Sequence, residues 1–191
     1  MNAKEKCMEK KGIPFRQIHL DFHTSPLIGD IGAEFDAEEF ADTLKKAHVN
    51  SINLFTKCHH GMFYYPTAIG TMHPGLTFDL FGAQMQACRE HEIRALAYTC
   101  VSWNEDWAAR HPEWLMGTAE GIWGYKKPFD SSYYSWKCIC YNNKDYREIL
   151  KAEMKEVYDR YHPDGFWIDI VQGRGCVCTT CSGDMKALGL D

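Results

Sequence analysis

Asp169 is the residue whose type and position most suggest chemistry in this sequence. It lies near the carboxyl end of the apolar run Asp164–Ile170 (DGFWIDI), which predicts a short buried strand. Because successive side chains of a strand point to opposite faces, Trp167 and Asp169 share one face. A carboxylate on a buried strand is costly unless it is paired or hydrated in a cleft. Asp169 is therefore expected to serve a functional site, to cap the next loop, or to pair with a cation such as Lys57 or Arg174.

Histidines lie on or directly after two other predicted strands. The residues Gln17–His23 alternate between apolar and polar types, which predicts a strand with one polar face. That polar face carries His19, Asp21 and His23. A second predicted strand, Ser51–Lys57, runs directly into His59 and His60. If strand geometry continues that far, Lys57 and His59 lie on a common side.

Metal binding is one chemistry that fits these histidines. Metal-dependent amidohydrolases take their first two metal ligands from two histidines on one face of the first strand. Alternate residues of a strand can converge on one ion. His59 and Asp169 would complete a mononuclear site with them. Sugar binding is the competing chemistry, and it suits the ring of Trp167 beside the carboxylate and the tyrosines nearby.

The cysteines form a second pattern with ligand spacing. Three lie in the motif Cys176-x-Cys178-x-x-Cys181, and Cys138-x-Cys140 is a further pair. Clustered thiolates suit structural zinc, which takes four ligands in a closed site. The three thiols of the motif with one thiol of the pair would make such a site. Reduced loop thiols without a metal are the alternative.

The composition argues against some classes of function. The 191 residues carry a formal net charge of -5 at a pI near 6.0, whereas a nucleic-acid-binding domain normally shows a basic patch. Abundant aromatic residues without excess positive charge suit sugar rings better than phosphates. The charged amino terminus predicts no signal peptide, and no apolar run is long enough to span a membrane. We therefore expect a cytoplasmic protein whose cysteines are reduced.

Helices are predicted between the strands. Asp36 and Glu39 predict a capping box for the first helix, and Asp145 and Glu148 predict one for the helix before the last strand. A third strand is predicted at Arg94–Val101. The long segment that follows it includes Trp103, Trp107, Trp114, Trp123 and Trp136. These rings would form either the walls of a ligand cleft or a separate hydrophobic cluster.

The predicted fold class is α/β. Strands that alternate with helices predict parallel βαβ units with right-handed crossovers. The polar residues lie at the carboxyl ends of the strands, where barrels and doubly wound sheets build their sites. A complete (β/α)8 barrel of the TIM type takes roughly 250 residues. We therefore expect a partial barrel with only the first four βα units, in which residues 1–14 are a lead-in and residues 15–191 are the first half of a catalytic domain.

Three motifs resemble one known family. They are Lys57-Cys58-His59-His60-Gly61-Met62-Phe63, the strand end Tyr98-Thr99-Cys100 followed by Trp103, and Asp164-Gly165-Phe166-Trp167-Ile168-Asp169. Their order and positions resemble those of α-L-fucosidase-like glycoside hydrolases of families 29 and 151. The sequence looks closest to the branch named hypothetical glycosyl hydrolase 6. The resemblance covers the four predicted strands and thus most of the chain.

The resemblance implies a retaining glycosidase that acts on carbohydrate, with Asp169 as nucleophile and without a catalytic cofactor. The residues implied to hold sugar hydroxyls are His23, His59 and His60. The other residues expected around the sugar are Tyr98, Trp103 and Trp167. Family 29 enzymes usually have Lys-His-His-Asp-Gly at the first motif, so His60 stands where an acidic residue is expected.

The second carboxylate of such a mechanism is not evident in this sequence. A retaining glycosidase needs two carboxyl groups roughly 5 to 5.5 Å apart. Glu105 and Asp106 follow the third strand and are candidates, whereas the superfamily usually takes its acid/base from later in the barrel. The alternatives are a sugar-binding fragment without activity and a half-barrel that pairs with a second copy through its unpaired sheet edges.

Overall fold

Strands and helices alternate along most of the chain. The structure is a computed structural model and describes residues 14–118, 121–122, 136–171 and 175–190. Its strands are β1 (Gln17–His19), β2 (Ser51–Phe55), β3 (Met62–Phe63), β4 (Thr71–Met72), β5 (Arg94–Cys100), β6 (Gly117–Thr118), β7 (Gly121–Ile122) and β8 (Phe166–Asp169). Its helices are α1 (Ala37–Lys46), α2 (Leu80–Glu90), α3 (Glu105–Arg110), α4 (Lys144–Tyr161) and α5 (Thr179–Ala187). A short 3-10 helix, Pro112–Trp114, follows α3.

The main sheet has four parallel strands in the order β1-β2-β5-β8. Each strand of this sheet thus lies beside the sheet strand that precedes it along the chain, as expected for successive βαβ units. All five residues of β2 are buried, which fits a strand covered on both faces. The predicted α/β class with a parallel sheet is confirmed. Since the strands are parallel, their carboxyl ends meet at one edge of the sheet.

Two predicted strands end two or more residues earlier than expected. β1 ends at His19 rather than His23, and β2 ends at Phe55 rather than Lys57. The backbone N–H and the hydroxyl of Thr56 still donate to the carbonyl of Tyr98 in β5, at 3.1 and 2.7 Å. The chain then turns tightly, and the backbone N–H of Gly61 donates to the carbonyl of Cys58 at 2.9 Å. The condition under which Lys57 and His59 were expected on a common side is therefore not met, since strand alternation does not continue through this turn.

The helix caps agree with the sequence at one helix and differ at another. Asp36 caps α1 by accepting a hydrogen bond from the backbone N–H of Glu39 at 2.8 Å, as predicted. The cap of α4 is Asn143, which accepts from the backbone N–H of Tyr146 at 3.1 Å, so the capping box predicted at Asp145 was wrong. Asp145 lies in the first turn of α4, where its negative charge still stabilises the helix through the helix dipole. None of the helices in the described part of the chain has the length and apolar character of a membrane span.

Two large hydrophobic clusters hold these elements together, and a small third cluster consists of Met116, Cys138 and Cys140. The larger joins the sheet to α1, α2 and α4 and includes the fully buried rings of Tyr65 and Phe81. The smaller includes Trp107, Trp114, Leu115, Ile139, Tyr146 and Leu150. Trp107 and Trp114 therefore belong to a separate hydrophobic cluster and not to cleft walls. Trp123 lies outside the described residues.

Candidate active site

Asp169 ends β8 at the carboxyl edge of the sheet and faces the neighbouring strand. The hydroxyl of Tyr98 donates a hydrogen bond to Asp169 Oδ2 at 2.6 Å. The Tyr98 ring is fully buried and stacks on Phe55, with 3.8 Å between ring centroids. Burial, and then the bond to Asp169, raises the pKa of Tyr98 above its usual range, so the phenol keeps its proton and acts as the donor. Three neighbouring strands thus fix the carboxylate.

Of the two cations that the sequence offered as partners of Asp169, Lys57 has a different partner. Lys57 is fully buried on the helix side, and its Nζ lies 2.5 Å from Glu153 Oε2 in α4. Pairing of Asp169 with Lys57 was therefore wrong, and Arg174 lies outside the described residues. Trp167 does share a face with Tyr98, because the ring of His19 contacts both. The Trp167 side chain remains 44% exposed.

His23 and His59 form a stacked imidazole pair beside this carboxylate. Their ring centroids are 3.6 Å apart. His23 Nδ1 accepts a hydrogen bond from the backbone N–H of His59 at 3.2 Å. His23 Nε2 must then carry the ring proton, which it donates to Asp21 Oδ1 at 2.8 Å. Both nitrogens of His23 are therefore assigned within the protein.

Burial keeps the imidazole pair uncharged. It lowers the pKa of His59 to about 3, with a further contribution from His23, while Asp169 acts in the opposite direction. Burial also lowers the pKa of His23, against the opposing charges of Asp21 and Asp169. His59 Nδ1 is buried and has no hydrogen-bond partner among the described residues, so it is an orphaned polar atom in the site.

Two indole rings form a tryptophan wall, Trp103 and Trp136, over the imidazole pair. The Trp103 ring lies 4.9 Å and the Trp136 ring 5.2 Å from the His59 ring, between centroids. The two indoles stack on each other at 6.5 Å. Trp103 Nε1 is a second buried polar atom that lacks a partner in the described part of the chain. Trp103 was predicted at the site, whereas Trp136 was only one of several rings in a long segment.

His60 faces an acidic residue rather than the imidazole pair. Its Nδ1 lies 3.2 Å from Glu105 Oε2, and Lys137 Nζ lies 3.6 Å from Glu105 Oε1. The hydrogen bond with His60 lowers the pKa of Glu105, and the charge of Lys137 acts in the same direction. Glu105 is therefore an anion at neutral pH. His60 also contacts the Trp136 ring at 4.6 Å, so it supports the edge of the site.

Gly61 fixes the turn that carries His59 and His60. Its φ is +84°, and a Cβ there would lie 2.1 Å from Asn104 Oδ1. That same oxygen caps α3 by accepting from the backbone N–H of Trp107 at 2.9 Å. The backbone N–H of Asp106 in α3 donates to the carbonyl of His60 at 3.0 Å. Only glycine allows this close approach between the turn and the helix.

The predicted mononuclear metal site does not form as expected. Within the described residues, the only group with the geometry of a metal site consists of four cysteines, and it includes none of the predicted ligands from β1, β2 and β8. His19 Nδ1 lies 3.0 Å from the Asn53 amide, and both His23 nitrogens are engaged as described. The amidohydrolase-like alternative therefore has no support from this geometry.

The cysteines of the predicted motif come together elsewhere. The sulfur atoms of Cys140, Cys176, Cys178 and Cys181 lie within 4.8 Å of one another. We refer to these four residues as the thiol cluster. The sequence offered Cys138 and Cys140 equally as the fourth member, and the structure selects Cys140.

Known proteins share this fold and sequence pattern. The structure resembles alpha-L-fucosidase isoenzyme 2 from Paenibacillus thiaminolyticus with a TM-score of 0.85 and 40% identity, over 94% of this chain and 27% of that chain. The chain thus spans little more than a quarter of that protein. A hypothetical protein from Ruminiclostridium thermocellum matches with a TM-score of 0.59 and 13% identity, over 83% of this chain and 77% of that chain.

An alpha-fucosidase from Thermotoga maritima matches with a TM-score of 0.51 and 24% identity, over 84% of this chain and 34% of that chain. This likeness and that to the Ruminiclostridium protein concern the fold alone. No match was found among curated protein sequences. The family model described as hypothetical glycosyl hydrolase 6 matches residues 36–170. Because that match covers well over half of its residues, the chain belongs to the hypothetical glycosyl hydrolase 6 family, within the α-L-fucosidase-like glycoside hydrolases.

Proposed function

We propose that this chain carries the nucleophile of a retaining, α-L-fucosidase-like glycosidase and that Asp169 is this nucleophile. The observation that carries the proposal is the 2.6 Å hydrogen bond by which buried Tyr98 orients the Asp169 carboxylate at the sheet edge. Because Tyr98 holds Oδ2, we assign Oδ1 as the atom that attacks the anomeric carbon. A covalent glycosyl intermediate then forms and is hydrolysed with net retention of configuration.

The imidazole pair and the tryptophan wall form the sugar site in this proposal. Sugars present hydroxyls at the ring edge and C–H groups on the ring face. The orphaned His59 Nδ1 and Trp103 Nε1 are buried polar atoms that a sugar hydroxyl would satisfy. A buried polar atom without a partner costs about 1 to 3 kcal/mol, which binding of a hydroxyl removes. The neutral state of His59 suits this role, since a neutral imidazole both donates and accepts hydrogen bonds.

The general acid/base comes from another part of the barrel in this proposal. Glu105 is a poor general acid because its hydrogen bond with His60 lowers its pKa. Asp106 is engaged by Arg110 Nη2 at 2.9 Å and by the Thr71 hydroxyl at 3.1 Å. Both candidates after β5 therefore have structural partners.

The geometry also supports the proposal that residues 15–191 are the first half of a (β/α)8 barrel. Each strand lies beside its predecessor, and β1 and β8 form the two edges of the described sheet. A groove of about 710 Å³ runs between β1 and α1. It is lined by apolar residues that include Ile18, Leu20, Phe35, Phe40 and Leu44. We propose that the remaining strands and helices of the barrel cover this groove and the edge at β8.

A fluorinated activated sugar tests the nucleophile without needing the missing acid/base. With 2-deoxy-2-fluoro-α-L-fucosyl fluoride, an Asp169 oxygen bonds to the anomeric carbon as the C–F bond breaks and fluoride leaves. Peptide mapping by mass spectrometry should find the fluorosugar on Asp169. The Asp169→Asn variant should remain unlabelled.

Asp164→Asn is the matched control for this experiment. Asp164 precedes the same strand, and its Oδ2 accepts from the backbone N–H of Ala95 at 2.9 Å, far along the strand from the site. This variant should be labelled like the wild type. A label on a residue other than Asp169, or equal labelling of Asp169→Asn, contradicts the assignment of the nucleophile.

A sugar-binding half-barrel that pairs with a second copy is the second candidate function. It is favoured by exposed apolar side chains on and after the edge strand β8, where Ile168 is 47% and Val171 is 65% exposed. Light scattering after size-exclusion chromatography decides between the candidates. A dimer that Ile168→Lys converts to monomer favours pairing of two copies, whereas a monomeric wild type excludes it.

A further inference from the structure

Four cysteine side chains from two separate segments converge in the thiol cluster. Cys140 precedes α4, whereas Cys176, Cys178 and Cys181 follow β8. All four sulfur atoms lie within 4.8 Å of one another, and the Cys140 and Cys181 sulfurs are 3.5 Å apart. Cys140 is buried and the other three are half-buried.

We propose that the thiol cluster binds one zinc ion in tetrahedral coordination as a structural site. A Zn–S bond of about 2.3 Å places the sulfurs of a tetrahedral site roughly 3.8 Å apart, which fits within the observed spread. Four protein thiolates close the coordination sphere, which is the pattern of structural rather than catalytic zinc. A disulfide would bring two sulfurs to about 2.05 Å, whereas all four cysteines are free in the structure and the Cys140 and Cys181 sulfurs are 3.5 Å apart.

The surroundings of the sulfurs suit thiolates. The side-chain amide of Asn142 donates to Cys181 Sγ at 3.7 Å and to Asp184 Oδ2 at 2.8 Å. Cys178 is the N-cap residue of α5, and Cys181 lies in its first turn. The partial positive charge of a helix amino terminus favours anionic sulfur there. These contacts are the kind of outer support that orients metal ligands.

The metal would add to an attachment that hydrophobic packing makes only in part. Cys176, Cys178 and Cys181 pack against a small buried cluster, but helix α5 has no buried residue. The segment before it is held to the described chain by a backbone bond from Val177 N–H to the carbonyl of Gly117 at 3.0 Å. Because binding of structural zinc contributes directly to folding, an ion would hold α5 in place.

The same ion would connect two parts of the active site. Trp136 of the tryptophan wall lies four residues before Cys140, and Asp169 lies seven residues before Cys176 in the chain. The metal would therefore fasten the segment that carries the wall to the segment that follows the nucleophile. It would take no part in the chemistry.

Metal analysis of two paired variants tests the proposal. The 191-residue chain, expressed with zinc in the medium and dialysed, should contain one zinc per chain by inductively coupled plasma mass spectrometry. Cys140→Ala should bind zinc at least roughly tenfold more weakly, since even loss of an outer partner costs that much. Cys138→Ala is the matched control, because Cys138 is a buried cysteine two residues away that is not in the thiol cluster. It should keep its zinc.

Cobalt substitution gives a readout that does not depend on a variant. Co(II) in the wild-type chain should give the strong sulfur-to-metal charge-transfer and visible bands of a tetrahedral tetrathiolate. Removal of zinc with a chelator should speed hydrogen exchange in Thr179–Ala187 and leave that in Ala37–Lys46 unchanged. The proposal is wrong if the chain binds no zinc or cobalt, if peptide mapping finds a disulfide within the cluster, or if both alanine variants lose the metal equally.

Discussion

At the scale of single residues, the hydroxyl of Tyr98 decides where the Asp169 carboxylate points. A hydrogen bond to a charged acceptor contributes about 1.5 to 3 kcal/mol. The Tyr98 ring has no freedom to move away, because it is fully buried and stacked on Phe55. The orientation of the nucleophile therefore depends on one phenol group.

Replacing Tyr98 with phenylalanine should slow labelling of Asp169 by the fluorinated fucosyl fluoride about 10- to 100-fold. This factor corresponds to loss of the free energy of the Tyr98–Asp169 hydrogen bond in the transition state. The measurement is the labelling rate by intact-protein mass spectrometry. Tyr161→Phe is the matched control, since it removes a similar bond to Asp79 Oδ2 at 2.7 Å on the helix side. Equal effects of the two substitutions would show that the Tyr98 bond only stabilises the fold.

The uncharged state of His59 makes stability depend on pH. Its pKa in the folded protein is about 3, whereas that of an exposed histidine is 6.5. Between these values the unfolded chain binds more protons than the folded chain. The stabilisation is therefore fully present above about pH 6.5 and is lost as the pH falls toward 3, with a limiting slope of about 1.4 kcal/mol per pH unit.

Urea unfolding at several pH values between 7 and 4 measures this effect. The His59→Gln variant should lose less stability on acidification than the wild type. His162→Asn is the control, because His162 is an exposed residue at the end of α4 with φ +46°, which asparagine tolerates. An unchanged pH dependence in His59→Gln would mean that His59 is not the buried neutral histidine described above.

Sequence reasoning found the residues that lie on strands or next to strand ends. Asp169 follows from alternation within a strand and His59 from its place after a strand, whereas Tyr98 was expected at the site only with the family resemblance. Trp136 was missed as a site residue because it reaches the imidazole pair from a distant segment, which no local pattern reports. Lys57 was misplaced because a turn replaced the expected strand, and its partner Glu153 lies in a different element.

At the scale of elements, a buried ion pair ties β2 to α4. Lys57 is fully buried and its Nζ lies 2.5 Å from Glu153 Oε2, while Glu153 Oε1 accepts from Trp107 Nε1 at 3.0 Å. One acidic residue of α4 therefore holds the turn after β2 and a ring of α3. The turn in question is the one that leads to His59.

Glu153→Gln should destabilise the fold by about 3 to 5 kcal/mol, because it leaves the Lys57 ammonium buried without a counter-charge. Adding Lys57→Met should recover most of this loss, since the glutamine carbonyl still accepts from Trp107. The exposed pair Lys151–Glu148 in the same helix is the control, and Lys151→Ala should cost less than about 1 kcal/mol. Urea unfolding measures all four proteins, and a double variant as unstable as Glu153→Gln contradicts this account.

The elements themselves were more predictable than their ends. Asp36 caps α1 as its spacing from Glu39 predicts. At α4 two acceptable caps lie two residues apart, and Asn143 rather than Asp145 takes the position. Local sequence does not decide between such neighbours, because the packing of Tyr146 and Leu150 in the smaller cluster sets where the helix begins.

At the scale of the whole molecule, the described sheet carries the proposed nucleophile, Asp169, whereas Glu105 and Asp106 both have structural partners. We expect the isolated 191-residue chain to hydrolyse an aryl α-L-fucoside far below the usual enzyme range of about 1 to 1,000 per second. Azide attacks a glycosyl intermediate without help from a general base. Added azide should therefore raise any residual turnover and give a glycosyl azide of retained configuration.

Release of aryl alcohol, followed by absorbance, measures this turnover. Asp169→Asn should abolish formation of the retained glycosyl azide, because azide that displaces the aryl group directly gives the inverted product. Hydrolysis at ordinary enzyme rates by the isolated chain would show that the acid/base lies within these residues and would refute the partial-barrel interpretation.

The parallel sheet was predictable because each strand and helix has its own periodicity. The thiol cluster was only partly predictable, since its fourth member depends on how two distant segments meet.

The stacked rings of Phe55 and Tyr98 lie on adjacent strands, whereas the tryptophan wall lies on connecting segments. Insertions, deletions and substitutions in those segments do not change the strand position of the Asp169 carboxylate. Under the proposed function, changes in these segments would alter which monosaccharide is accepted, while the carboxylate on the strand stays in place. Substrate preference is accordingly expected to diverge between relatives sooner than the stereochemical outcome does.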